Sequence, residues 1–170
     1  GQPVNTILQA GDEGLDRIRE IFEYYSLMLG VDFVESESAG YTVVVGDMFP
    51  NGRQSGPGGV IGVAGGGLAI MDSAEVWDYS FGGQSGIPGA QNFFTTAMHE
   101  LGHLLGLGHT YDLPPGTIMG SEGDLADPNP GIGSEWVFPG DADVIHGQNL
   151  YRPDNRDIDA YSFTIPGGAS

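Results

Sequence analysis

The spacing of apolar residues predicts three helices. Between residues 12 and 29, apolar side chains recur at every third or fourth position with charged residues between them, and Gly30 follows as a stop signal. These apolar positions are Leu15, Ile18, Phe22, Tyr25 and Leu29. A second helix is predicted from an Asn92 cap to about Leu105, and a short third helix over Asp141–Tyr151.

Short apolar runs bounded by glycine, proline and polar residues predict the strands. They cover Val31–Glu35, Tyr41–Val45, Val60–Ala64, Leu68–Met71 and Asp159–Ile165. Residues 106–140 carry five prolines and little periodicity, and such long loops are uncommon unless they serve a function. We expect this stretch to wall a substrate pocket. The order of elements predicts an α+β domain, with a twisted mixed sheet, an active-site helix packed on it and an irregular C-terminal lower part.

Composition narrows the classes of function. The length of 170 residues predicts one domain, and the net charge of −18 argues against nucleic acid and anionic membrane surfaces as partners. The chain has no cysteine, so its stability does not depend on disulfides. No apolar run reaches the length of a membrane span. We expect a monomer.

The most informative stretch runs from His99 to His109 and has the pattern H-E-x-x-H-x-x-G-x-x-H. His99 and His103 lie four residues apart, so both rings project from one face of a helix and can bind one zinc ion. Gly106 can take the left-handed conformation that ends a helix, which turns the chain so that His109 completes the site. Three histidine ligands leave a fourth position open for water, as in catalytic zinc sites.

Glu100 follows the first ligand and is the predicted general base. It takes a proton from the zinc-activated water, which attacks a carbonyl, and then passes the proton to the leaving amine. The predicted reaction is the hydrolysis of peptide bonds. The alternatives are a non-catalytic, metal-stabilised module that binds extended peptides, the hydrolysis of a small amide, and buried histidines without a metal.

These motifs resemble those of the metzincins, and within them the matrixin-like zinc endopeptidases. The resemblance covers roughly residues 15–151. It rests on the zinc motif, on its lead-in over residues 92–98, on Thr110, and on residues 117–120, which resemble the Met-turn around Met119. Asp143–Tyr151 resembles the closing helix of the same catalytic domain.

The resemblance implies a secreted endopeptidase that acts on extended polypeptides. It implies that substrate pairs with the edge strand, formed here by Val60, Ile61, Gly62, Val63 and Ala64, although these could equally be core-strand residues. It also implies that Asp72 and Glu75 are ligands of a structural calcium ion. The alternative is that both are solvated acids at a strand end.

The chain also departs from the family pattern. Gly62 and Ile70 stand where the family has histidines for a second, structural zinc, so we expect one catalytic zinc only. Ser121 replaces the tyrosine ligand found in some metzincins. We expect a catalytic domain over residues 1–152. Residues 153–170 would then be a linker or tail, which either begins a truncated β-sandwich module or folds back on the domain.

Overall fold

The computed structural model of the chain describes residues 13–36, 39–48, 59–81, 85–109, 118–119 and 138–151, together with the backbone of residues 160–164. It has three helices, α1 (Glu13–Leu29), α2 (Phe93–Leu104) and α3 (Asp141–Tyr151). Its strands are β1 (Asp32–Glu35), β2 (Tyr41–Gly46), β3 (Gly62–Gly65), β4 (Leu68–Asp72), β5 (Trp77–Asp78), β6 (Gln91–Asn92) and β7 (Ala160–Thr164). Within these residues no helix is long and apolar enough to cross a bilayer.

Five strands form a mixed sheet in the order β1, β7, β2, β4, β3. Pairing is parallel from β1 through β7 and β2 to β4, and antiparallel between β4 and β3. β3 and β4 form a tight hairpin through Gly66 and Gly67, whose φ angles of 59° and 86° suit the turn that matches strand twist. β3 therefore lies at one end of the sheet, and β5 and β6 form a separate parallel pair.

The tail of the chain contributes to this sheet. Ala160–Thr164 pairs with β1 on one side and with Tyr41 and Thr42 of β2 on the other. This stretch is therefore part of the five-stranded sheet. The domain boundary at residue 152 stays a prediction, and residues 152–159 lie outside the described part of the chain.

Helices α1 and α2 pack against each other, and α2 also packs against β3 and β4. The apolar positions predicted for α1 are all buried, with exposed fractions of 2% or less. Four aromatic rings contact one another around the first turn of α2, and they belong to Tyr24, Phe81, Phe94 and Phe138. The burial of α2 against helix and sheet fixes the element that carries the zinc motif.

The predicted α+β class, the mixed sheet and all three helices are confirmed. Strand bounds shift by one or two residues, and most at the edge strand, predicted over Val60–Ala64 and observed over Gly62–Gly65. The pair of β5 and β6 was not predicted, since two-residue strands leave no alternation to detect. The predicted irregular region over residues 106–140 lies largely outside the described residues.

We predict that Gly102→Ala destabilises the protein although alanine favours helices. A Cβ at Gly102 would lie 2.4 Å from Sδ of Met119 and 2.9 Å from the hydroxyl of Tyr25, both fully buried. Alanine gains up to about 1 kcal/mol in helix propensity, but overpacking costs about 1–3 kcal/mol. We expect a net loss of about 1 kcal/mol in chemical denaturation. Gly65→Ala, where a Cβ has no neighbour within 4 Å, serves as the control, and equal stability of the two variants would contradict the prediction.

Candidate metal centre and active site

The zinc motif lies on α2, which begins and ends as the sequence predicts. The side chain of Asn92 caps the helix by accepting a hydrogen bond of 2.9 Å from the backbone N–H of Thr95. At the other end Gly106 has a φ of 93°. Its N–H donates to the carbonyl of His103, and the N–H of Leu107 donates to that of Gly102, which is the Schellman pattern of helix termination. The chain therefore reverses directly after α2.

This reversal brings the three motif histidines together. The Nε2 atom of His103 lies 3.1 Å from that of His99 and 2.9 Å from that of His109, and the remaining pair is 3.1 Å apart. Tetrahedral nitrogen ligands at about 2.0–2.1 Å from zinc would stand about 3.3 Å from one another. The three rings thus meet at one point with nearly the spacing that a zinc ion requires.

Backbone carbonyls determine which nitrogen of two of these rings carries the proton. Nδ1 of His99 lies 2.6 Å from the carbonyl oxygen of Ile118, and Nδ1 of His103 lies 2.8 Å from that of Leu107. A carbonyl can only accept, so each Nδ1 donates and the neutral ring presents its Nε2 lone pair to the shared point. Burial, with His103 and His109 acting in the same direction, lowers the pKa of His99 to about 4. This donor set fits a zinc ion.

Glu100 is buried between α2 and the sheet, with an exposed fraction of 7%. Burial raises the pKa of its carboxyl to about 7. Strand β3 passes so close that a Cβ at Gly62 would lie 2.7 Å from Oε1 of Glu100. Gly62 therefore makes room for the predicted base, a role that the sequence pattern did not reveal because the two residues are distant along the chain.

Met119 and Ile118 form a short described segment beneath α2. Met119 is fully buried and its sulfur packs at Gly102, next to the predicted ligand His103. The rest of the Met-turn motif, with Thr110 and the predicted pocket wall, lies outside the described residues.

Comparison with known families agrees with this geometry. The sequence profile of the matrixin family, peptidase family M10, matches residues 16–121. The match covers more than half of the chain and includes most of α1, the sheet strands β1–β4, the zinc motif and Met119. The chain belongs to the matrixin family. Matrixins are zinc metallopeptidases, and among the described residues His99, His103 and His109 form a group that could hold a zinc ion.

The sheet register bears on one departure of this matrixin from the family pattern, namely Gly62 and Ile70 in place of the histidines of a second zinc site. Across the β3–β4 pair, Ile70 faces Val63, whereas Gly62 faces Met71. The side chain beside Ile70 is therefore that of Val63, and not the absent side chain of Gly62. Both neighbouring positions are apolar, and neither offers an imidazole.

The two acids at the end of β4 and just after it, Asp72 and Glu75, are both buried. Their burial argues against the alternative that they are solvated acids. Asp72 and Glu75 have exposed fractions of 1% and 7%. Oδ1 of Asp72 accepts a hydrogen bond from the N–H of Ala74, whereas its Oδ2 is buried and has no hydrogen-bond partner among the described residues. Burying an ionised carboxylate oxygen without a partner is costly, so a cation fits at this position.

A cavity of about 440 Å³ lies beside the first turn of α2. Its walls are Ile61, which leads into β3, the loop of residues 85–91, and the polar side chains of Asn92, Thr95 and Thr96. The cavity therefore lies between the zinc helix and the segment that enters the edge strand.

We predict that Glu100 makes the metal-free protein less stable as the pH rises. Its pKa is about 7 in the folded protein against an ordinary 4.5, so between these values the folded form keeps a proton that the unfolded form has lost. The unfolding free energy therefore falls from about pH 4.5 to about pH 7, by on the order of 3 kcal/mol in total, and is flat above that window.

Glu100→Gln lacks this titration, and denaturation in a chelator at several pH values measures the difference. The stability of Glu100→Gln relative to the unaltered protein should rise through the window and then level off. Glu23→Gln, at an exposed position on α1, should show no such trend. A difference for Glu100→Gln that stays constant from pH 4 to pH 8 would contradict the assignment.

Proposed function

We propose that this matrixin is a secreted zinc endopeptidase that hydrolyses peptide bonds of extended polypeptides, with Glu100 as general base. The observation that carries the proposal is the meeting of three Nε2 atoms within 3.1 Å of one another, next to a buried carboxyl group. Neutral His99, His103 and His109 would hold the ion and leave one position open.

Bound zinc would supply a Lewis acid that lowers the pKa of water and polarises the scissile carbonyl. Glu100 accepts a proton from the attacking water as the new C–O bond forms. It then donates that proton to the amide nitrogen as the C–N bond breaks, so that an acid and an amine leave.

The geometry of β3 supports an extended substrate. The N–H of Asp72 donates to the carbonyl of Ile61, and in an antiparallel pair every second residue points its backbone groups at the partner strand. Gly62 and Ala64 therefore direct their N–H and C=O groups away from β4. We propose that substrate adds to this edge as a further strand, directly beside Glu100.

The cavity beside α2 supports a pocket for one substrate side chain. It adjoins Ile61, the residue before Gly62, where the proposed substrate strand would begin to pair. The side chains of Thr95 and Thr96 form part of its lining. We propose that it accepts a side chain next to the cleaved bond.

We further propose that calcium stabilises the loop after β4, with Asp72 and Glu75 among its ligands. The support is the burial of both carboxylates and of Oδ2 of Asp72, which has no hydrogen-bond partner in the described part of the chain. Calcium would compensate the cost of burying these charges. Secretion is supported by the typically extracellular location of matrixins, and the monomeric state stays a prediction.

Glu100→Gln should abolish most hydrolysis while the protein still binds zinc. The amide keeps the volume of the carboxylate under β3 but cannot accept the proton, so kcat/KM for a peptide substrate should fall about 10²–10⁴-fold. Zinc content and zinc affinity should stay close to those of the unaltered protein.

Glu23→Gln is the matched control and should retain full activity. A chelator should stop the unaltered enzyme, and added zinc should restore it. Unchanged hydrolysis by Glu100→Gln would refute the proposal. If the unaltered protein binds zinc and peptides without any turnover, the non-catalytic binding module becomes the better description.

Calcium should raise the thermal midpoint of the zinc-loaded protein, and Asp72→Asn should remove most of that rise. A hundredfold excess of calcium over its Kd stabilises by about 2.7 kcal/mol, which corresponds to roughly 5–10 °C for a domain of this size. Glu23→Gln, which alters an exposed acid, should keep the full response. An identical midpoint with and without calcium, in protein that has been exhaustively chelated and then reloaded with zinc alone, would exclude the site.

A further inference from the structure

Among the described residues, the proton on Nδ1 of His99 has one acceptor, the carbonyl of Ile118, at 2.6 Å. If this carbonyl moved, the ring of His99 could rotate or change its protonated nitrogen, and its Nε2 lone pair would no longer face the other two histidines. The position of Ile118 is therefore part of the metal site, although this residue offers no ligand.

Ile118 is held in turn by Asp143, which lies in the first turn of α3. The N–H of Ile118 donates to Oδ2 of Asp143 at 3.0 Å, and the N–H of Gly140 donates to the same oxygen at 3.0 Å. The second bond links the carboxylate to the start of its own helix, as in a capping box. One oxygen thus joins Ile118 to α3.

The surroundings make this link rigid. Asp143 has an exposed fraction of 2% and Ile118 of 4%, so water does not compete for either bond. Burial raises the pKa of Asp143, and the bonds from the backbone of Gly140, Ile118 and Met119 oppose that shift. Hydrogen bonds to a carboxylate are shorter and stronger than those between neutral groups.

We propose that Asp143 is a positioning residue for the zinc ligand His99 and acts through Ile118. The carboxylate fixes the N–H of Ile118, and the carbonyl of that residue fixes the ring of His99. The inference rests on the zinc site of the proposed function. It goes beyond that function because it assigns to α3 a part in metal affinity.

Tyr25 provides a matched comparison. Its buried hydroxyl donates to the carbonyl of Met98 at 2.8 Å, so it also makes a buried polar bond to α2, at the residue before His99. No bond of Tyr25 leads to Ile118 among those described. Tyr25→Phe therefore removes a bond of similar burial and leaves the hydrogen bonds of Asp143 and Ile118 in place.

The test is zinc affinity, measured on the full chain by competition with a chromophoric chelator. Loss of groups that orient metal ligands typically costs 10–100-fold in affinity, so Asp143→Ala should bind zinc about tenfold more weakly. Asp143→Asn keeps one acceptor oxygen and should recover part of the loss. Tyr25→Phe should lower the thermal midpoint but change zinc affinity less than about twofold.

Exchange of the Nδ1 proton of His99 with solvent gives a second readout in the zinc-loaded protein. NMR should find faster exchange in the Asp143 variants and no change in Tyr25→Phe. If Asp143→Ala does not fold, Asp143→Asn decides, and a loss of affinity of more than twofold supports the proposal.

An affinity within twofold of the unaltered protein for the folded Asp143 variants overturns the proposal. So does an equal loss in Tyr25→Phe, because it would show a general effect of instability. Neither readout requires hydrolysis. A chain that binds zinc in this way but cleaves no peptide would refute the proposed enzyme alone, and leave the role of Asp143 intact.

Discussion

Two hydrogen bonds from histidine rings to backbone carbonyls set the geometry on which the metal centre depends. The acceptors are Ile118 and Leu107, and both lie after α2 in the chain. A zinc site on one helix therefore needs the segments that follow the helix to return to it. The Schellman turn at Gly106 provides the first return, and the buried segment at Ile118 and Met119 provides the second.

The proposed base is subject to two opposing requirements. Glu100 must be buried, because a dry site strengthens its interaction with developing charge, yet it must also be close to substrate. The approach of β3 at Gly62 satisfies both, since one strand covers the carboxylate and presents its outer edge beside it. Only the backbone of Gly62 thus lies between the proposed substrate strand and the buried carboxyl group of Glu100.

The sequence predicts what depends on local spacing. The cap at Asn92, the stop at Gly106 and the convergence of His99, His103 and His109 all follow from positions within one short segment. The sequence could not show that Gly62 lies against Glu100, that Val63 pairs with Ile70, or that the N–H of Ile118 bonds to Asp143. Those contacts join residues from different elements, and their existence depends on the register of the sheet and the packing of α3, which no local pattern encodes.

Strand β7 has a consequence for how the protein is made. It lies between β1 and β2, although more than a hundred residues separate it from either of them along the chain. Pairings between such distant segments form slowly, because a long loop must close before any contact compensates its entropy. During synthesis the ribosome releases the zinc-binding helix before β7 exists, so the half-built sheet exposes two unpaired strand edges until translation reaches the tail.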